Sequence, residues 1–296
     1  AGTGSNTWTV TAITSIYPGN VTTTYLAKPT FKAVLKFGSV SLSGKTVTFA
    51  IDGVPVGTAV TNLSGLASLP LTVTASVGTH TWTASFAGDA SYAPCTADNV
   101  LTVNKGITVL SLPNLSVKVG ANGIIKATLK VGAVAVASVP VSISLGGTSL
   151  GSFNTSALGV ASTTRKASEP VGALTMTAVY AGNATYAAAS KSATWKVIQS
   201  GVKITGDVVS ATAGTSVTYG AKLVRITDNG ALAGKSLQFR DSVTSAVLGS
   251  GTTDATGRAT ITLTAPGVGV KRNFTIVFSG DTNYTSGTGV GSLTGK

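Results

Sequence analysis

Apolar and polar residues alternate along much of this chain. Phe31, Ala33, Leu35 and Phe37 take every second position, with Lys32, Val34 and Lys36 between them. Ile125, Ala127, Leu129 and Val131 alternate with Lys126, Thr128 and Lys130, and Trp82, Ala84 and Phe86 with Thr81, Thr83 and Ser85. Successive side chains of a strand point to opposite faces, so a period of two predicts strands with one face buried and one in water. The rows Met176, Ala178, Tyr180 and Phe274, Ile276, Phe278 read the same way. Asp52-Gly53 and Asp228-Asn229-Gly230 punctuate the rows with residues that suit tight turns. No stretch carries the helical period with caps, so the expectation is an all-β chain.

The pattern occurs three times. Phe86-Ala87-Gly88-Asp89-Ala90-Ser91-Tyr92 returns as Tyr180-Ala181-Gly182-Asn183-Ala184-Thr185-Tyr186 and as Phe278-Ser279-Gly280-Asp281-Thr282-Asn283-Tyr284, at intervals of 94 and 98 residues. Gly65-Leu66-Ala67, Gly159-Val160-Ala161 and Gly257-Arg258-Ala259 keep those intervals. So do Val47-Thr48-Phe49-Ala50-Ile51, Val141-Ser142-Ile143-Ser144-Leu145 and Leu237-Gln238-Phe239-Arg240-Asp241. Such spacing marks an internal repeat, with units at 1–104, 105–198 and 199–296. About seven short alternating strands in each, with frequent turns, predict three tandem immunoglobulin-like β-sandwich domains. Phe49, Ile143 and Phe239 are expected inside, between two sheets.

Charge adds less than its total suggests. The net charge is +12 because only 9 Asp and Glu stand against 21 Lys and Arg. The bases alternate with core positions, as a wetted strand face does. Nucleic-acid readers interleave basic clusters with stacking aromatics, whereas here aromatics fall on core rows and bases on wet ones, so no nucleic-acid partner is expected. One cysteine, Cys95, excludes a disulfide within the chain; it reads as a small half-buried residue, with an intermolecular disulfide as the alternative. No run of 18 apolar residues occurs, so no membrane-spanning segment is expected.

The equipment of catalysis is thin. His80, the single histidine, aligns with Leu174 and Arg272 and reads as a structural residue at a strand end. A triad needs nucleophile, base and orienting acid together. Asp89 and Asp281 read as Asx turns rather than calcium ligands, because hard cations take six to eight oxygens and the acids are few and scattered. Tyr92, Tyr186 and Tyr284 are expected to pack across those turns with hydroxyls on backbone groups. No catalytic, cofactor-binding or metal-ligating residue is assigned, no cofactor is expected, and the chain reads as a non-enzyme. Asn20, Asn62, Asn114, Asn154, Asn183, Asn273 and Asn283 each open an Asn-x-Ser/Thr acceptor sequence for N-glycans.

At Gly88-Asp89 to Tyr92, Gly280-Asp281 to Tyr284 and the turn Thr253-Asp254-Ala255-Thr256-Gly257-Arg258-Ala259, the chain resembles the bacterial immunoglobulin-like domains (group 3) of prokaryotic cell-surface proteins. Asn183 in place of Asp, and Ser64 before Gly65 without an acid like Asp254, depart from that pattern. The resemblance implies extracellular, cell-surface spacers or adhesive modules. The expected role is structural: a rod-like subunit of a surface filament or pilus, a surface layer or a stalk, self-associating into fibres or sheets. The alternative is an adhesin for a glycan or a host surface protein, with Tyr17-Pro18-Gly19-Asn20 and Tyr25 as candidate contacts. Gly289 to Gly295 is poor in core residues, and Ala1 to Thr7 is a surplus leader. Together they suggest head-to-tail assembly by strand addition at a weak terminal edge.

Overall fold

The computed structural model describes residues 12–168 and 170–296. The first unit contains β1 (Ser15–Pro18), β2 (Val21–Thr24), β3 (Thr30–Phe37), β4 (Val40–Ser41), β5 (Thr46–Ile51), β6 (Val54–Val60), β7 (Leu66–Pro70), β8 (Gly78–Phe86) and β9 (Cys95–Asn104). The second contains β10 (Val109–Ser111), β11 (Leu115–Lys118), β12 (Asn122–Val131), β13 (Val134–Ala135), β14 (Pro140–Leu145), β15 (Thr148–Asn154), β16 (Val160–Lys166), β17 (Gly172–Tyr180) and β18 (Ala189–Ile198). The third contains β19 (Val202–Gly206), β20 (Val208–Ala211), β21 (Ser216–Arg225), β22 (Ser236–Asp241), β23 (Val247–Thr252), β24 (Arg258–Thr264), β25 (Lys271–Phe278) and β26 (Gly287–Gly295).

Each unit is an immunoglobulin-like sandwich of two sheets. In the first, β1, β3, β4 and β7 face the five-stranded sheet β2-β9-β8-β5-β6. The others repeat this with β11-β18-β17-β14-β15 and β20-β26-β25-β22-β23. The seven strands expected become nine, nine and eight. The opening strand divides: β1 lies antiparallel on β3, then the chain crosses and β2 runs parallel to β9. Short hairpin strands β4 and β13 add to the first two units.

The inward rows form the cores. Phe49, Ile143 and Phe239 are buried and sit opposite Ala84, Ala178 and Ile276 in the neighbouring strand. Each strand then bulges at the following residue. Phe31 and Phe49 flank Trp82, with ring centroids 5.2 and 6.0 Å away. In the third unit Tyr219, Phe239 and Phe274 make the corresponding trio. The second unit places Ile125, Ile143 and Met176 there and fills the space from β18 with Trp195. Phe37 departs from its predicted inward row; it ends β3 and is 43% exposed.

The glycine of the second motif answers a close approach. Gly65 has φ +72°, and a Cβ there would stand 2.5 Å from the Leu35 carbonyl oxygen. Gly159 and Gly257 repeat this against the carbonyls of Leu129 and Leu223. Ahead of each glycine, a side-chain oxygen collects two backbone N–H groups: Asn62 from Ser64 and Leu66, Ser156 from Leu158 and Val160, Asp254 from Thr256 and Arg258. Asn62 therefore does in the first unit what Asp254 does in the third.

Gly44 supplies a control, with the same φ of +72° and nothing within 4 Å of its Cβ direction. Gly44→Ala is expected to destabilise the first unit by about 1–2 kcal/mol, the backbone cost alone. Gly65→Ala adds a clash with backbone and is expected to cost distinctly more, about 3 kcal/mol or above. Denaturant unfolding of the two variants checks the difference.

Candidate functional site

The most repeated polar construction lies at the turn after β8, β17 and β25. Asp89 Oδ1 accepts from the N–H groups of Ser91 and Tyr92, both at 2.9 Å. Asn183 and Asp281 do the same for Thr185 and Tyr186, and for Asn283 and Tyr284. The Asx-turn reading of Asp89 and Asp281 therefore holds. The spare carboxylate oxygen of Asp89 accepts from Lys45 Nζ at 2.6 Å, and that of Asp281 from Lys235. Each ammonium also lies over a tyrosine ring, 4.8 Å from Tyr92 and 5.2 Å from Tyr284. In the second unit both partners change together: Asn183 has no spare charge, and Val139 holds the place of the lysine. The matching bonds from Lys45, Val139 and Lys235 N–H to Thr61, Thr155 and Thr253 Oγ1 establish that place.

These turns hold the chain as it enters each unit. Ala12 donates to Ser91 O and accepts from Ala93 N. Gly106 is bonded likewise to Thr185 and Ala187, and Ser200 to Asn283 and Thr285. Thr14 and Thr108 hydroxyls add bonds to the carbonyls of Ala93 and Ala187, both at 2.7 Å. The Gly-Asp/Asn-x-x-Tyr element is thus a linker clamp: its Asx turn shapes the loop, and the loop grips the linker. The Tyr284 hydroxyl departs from expectation, accepting from Arg225 Nη1 at 3.2 Å rather than meeting backbone.

The two junctions differ in chemistry. Between the first and second units, Tyr25 meets Tyr186 edge-to-face at 5.8 Å, and Leu26 packs on the second unit's core. Tyr25 is half-buried in this contact, whereas Tyr17 stays exposed on β1. Between the second and third units polar bonds accompany an apolar contact. Thr227 Oγ1 donates to Val119 O at 2.9 Å, and Val171 N–H to Asn283 Oδ1 at 3.0 Å. Arg225 grips Asp228 with two donors at 2.7 and 2.8 Å, and Lys166 reaches the same carboxylate at 2.9 Å. Arg225, then Lys166 and the Gly230 N–H, hold the Asp228 carboxyl well below the usual carboxylate range. The buried apolar side chains of these two units form one continuous cluster, while the first unit's form their own.

The remaining candidates are placed individually. His80 Nδ1 lies 2.6 Å from Asp52 Oδ2 and Nε2 lies 2.8 Å from Ser76 O. Both nitrogens face acceptors, which only the imidazolium satisfies. Cys95 is a half-buried free thiol. Among the described residues no group of three or more His, Cys, Asp or Glu gathers as metal ligands, and no helix is long and apolar enough to cross a membrane. Two related shallow clefts, of about 340 and 320 Å³, lie beside Lys235–Asp281 and Lys45–Asp89. Of the acceptor asparagines, all but Asn283 are exposed.

The expected vacant edge is not found. β26 pairs with β25 on one side and β20 on the other. Its glycines are filled from within: Gly289 lies against Ile204, and Gly291 makes room for the Tyr219 hydroxyl, which donates to Asp207 O at 2.9 Å. Ala1 to Thr7, the proposed donor leader, lies outside the described residues.

The fold and the clamps define a tandem array of immunoglobulin-like sandwiches. Residues 14–104 match the family model of the bacterial Ig-like domain (group 3). No curated protein matches the chain. Among solved structures, a three-domain titin fragment is 18% identical and covers 96% of this chain and 98% of its own, with a TM-score of 0.37. A tetra-tandem repeat from the extending region of a large adhesion protein is 18% identical, covering 96% and 74%, with a TM-score of 0.35. A Ca²⁺-stabilized ice-binding adhesin of an Antarctic bacterium is 12% identical, covering 98% and 75%, with a TM-score of 0.28.

Two outcomes are expected. The Asp52 hydrogen bond, then the Ser76 carbonyl, raise the His80 pKa above its ordinary value. A raised folded pKa stabilises fully below the unfolded value and loses that stabilisation as pH rises through the folded one. The β5–β6 turn is therefore expected to exchange amide hydrogens more readily, beyond the intrinsic rate increase, as pH rises from about 6 to 9; in His80→Leu that excess pH dependence disappears. Asp228, with its depressed pKa, holds its junction until pH falls well below the carboxylate range. At neutral pH Asp228→Asn is expected to loosen the second junction alone, read as faster exchange at Val171 and Thr227 with the first junction unchanged.

Proposed function

We propose that this chain is an extracellular structural spacer: a rod-like tandem array within a surface stalk, filament, pilus or surface layer of a prokaryotic cell. The observation that carries this reading is the linker clamp. Each unit grips the segment that enters it with a pair of backbone hydrogen bonds, so successive units are joined without slack. A binding protein needs one exposed site, whereas a spacer needs its joints stiff, and here the joints carry the repeated polar construction. The match of residues 14–104 to a bacterial Ig-like family supports a surface location.

On this reading the spans 1–104, 105–198 and 199–296 are separate folding domains, no catalysis takes place, and exposed acceptor asparagines carry glycans where the source organism glycosylates surface proteins. A low share of charged residues, 10% of the chain, and abundant small hydroxyl residues suit close lateral packing against neighbouring surface molecules. Glycan or host-protein recognition stays the secondary reading, with exposed Tyr17 its more accessible candidate and half-buried Tyr25 the other.

Small-angle scattering of the purified chain tests the proposal. Three units, each a strand of about ten residues plus loops in height, give an expected maximum dimension of roughly 120 Å. A compact particle with a maximum dimension near that of a sphere of this mass would overturn it. Tight binding of one glycan on an array, abolished by Tyr17→Ala, would favour the adhesin instead.

A further inference from the structure

The positive charge of this chain is gathered in its middle. Residues 105–198 hold eight Lys and Arg against one acid, Glu169, whereas 1–104 holds four against three and 199–296 nine against five. Of the net +12, the second unit therefore carries +7. The repeat locates the excess. Gly146, Asn183 and Ser192 stand where the first unit has Asp52, Asp89 and Asp98. Lys118, Lys191 and Lys196 stand where it has Thr24, Ala97 and Thr102. The first unit folds on the same plan without either change, so the plan does not demand them.

The lysines border the split opening strand, where the chain passes from one sheet to the other. Lys118 lies on β11, and Lys191 and Lys196 on β18, which β11 joins with Ser116 opposite Lys196. Lys126 and Lys130 lie on β12, which β10 joins with Val109 opposite Lys130. All five are exposed, as is Lys105 in the linker that leads to β10. By contrast β13, β14, β15 and β17 carry no charged residue. In the neighbouring units Asp89, Asp207, Asp241 and Asp281 are each bonded to a base. Lys166 reaches Asp228 across the junction, but none of these six lysines has an ion pair among the described residues.

Uncompensated charges of one sign on one side of a sandwich make a field that draws anions. Their neighbours indicate which anion. The unit's aromatic side chains are Phe153 and Tyr186, half-buried, and Tyr180 and Trp195, buried. No exposed ring is offered for a nucleic-acid base to stack on. Exposed beside the lysines are hydroxyls instead, those of Ser111, Ser116 and Thr194. Lysine is a flexible point charge, not a rigid fork, and suits anionic groups spaced along a flexible polymer. We infer that this side of the second unit binds an acidic polysaccharide, with lysines on its anionic groups and serine and threonine hydroxyls on its sugar hydroxyls. The inference goes beyond the spacer reading and stands or falls apart from it: the array is held along its flank to an anionic coat.

Biolayer interferometry of the full chain on immobilised polygalacturonate tests this, with dextran sulfate, neutral dextran and single-stranded DNA as the other surfaces. Binding is expected to polygalacturonate and dextran sulfate and not to dextran, and to weaken about tenfold or more from about 20 to 200 mM salt. The double variants Lys118→Gln with Lys196→Gln, and Lys126→Gln with Lys130→Gln, are each expected to lose about tenfold in affinity. Lys32→Gln with Lys36→Gln removes the same charge from the matching strand of the first unit and is expected to leave affinity within about twofold. Equal losses in all three would show attraction by net charge alone and overturn the site. Absence of binding to both acidic polysaccharides overturns it as well. Tighter binding to DNA than to polygalacturonate at equal charge concentration reassigns the face to nucleic acid and overturns the choice of partner. Binding abolished by Tyr17→Ala but kept in the second-unit variants moves the contact to the first unit. An elongated chain that binds none of these surfaces removes this site while leaving the spacer reading standing.

Discussion

A pair of backbone hydrogen bonds in each unit decides how this chain can behave as an array. Ala12, Gly106 and Ser200 each bridge to the tyrosine loop of the unit they enter, one bond in and one bond out. A linker held in this way has little conformational freedom left to lose on docking. The loop itself is rigid because an Asx side chain takes up two of its N–H groups. The Asx turn shapes the loop, the loop fixes the linker, and the linker sets one sandwich against the next. Removing the first step would release the others.

The three units satisfy the same constraints with different residues, and the changes compensate one another inside a single chain. Lysine and aspartate become valine and asparagine together in the second unit, so no charge is left unpaired at the turn. Its central aromatic moves from β17 to β18, with Met176 where the first unit has Trp82 and Trp195 filling the volume. In the third unit Tyr219 enters the core, and Gly291 on the facing strand gives way to its hydroxyl, whose pKa burial pushes up to about 12. Sequence that looked too poor in apolar residues to complete a sandwich is the space another side chain needed.

That last case shows where a sequence can and cannot be read. Alternation located the strands and cores because a period of two has one physical meaning when one face is buried, and Phe49, Ile143 and Phe239 lie where it put them. The Asx turns at Asp89 and Asp281 were legible because the capping chemistry is local. Gly289 and Gly291 were misread, since their partners Ile204 and Tyr219 come from distant strands and no local pattern announces them. Phe37 was misread for a related reason: it continues an inward row past the edge of the sandwich, and only the closing hairpin shows that the core has ended. Tyr25 looked like a free surface aromatic because its partner, Tyr186, belongs to the next unit. The junction network of Lys166, Arg225 and Asp228 left no signal beyond a turn motif.

The parallel pairing of the second strand with the last one has a mechanical consequence. In each unit β2, β11 or β20 lies alongside β9, β18 or β26 and runs the same way. Tension applied along the array draws these two strands past each other lengthwise. The bonds between them are then loaded in shear and must fail together, whereas in a hairpin pulled from its open end they break in succession. Resistance of that kind is set by the rate of rupture, not by the equilibrium stability of the unit. Four residues of β-structure at the entrance to each sandwich therefore act as a latch.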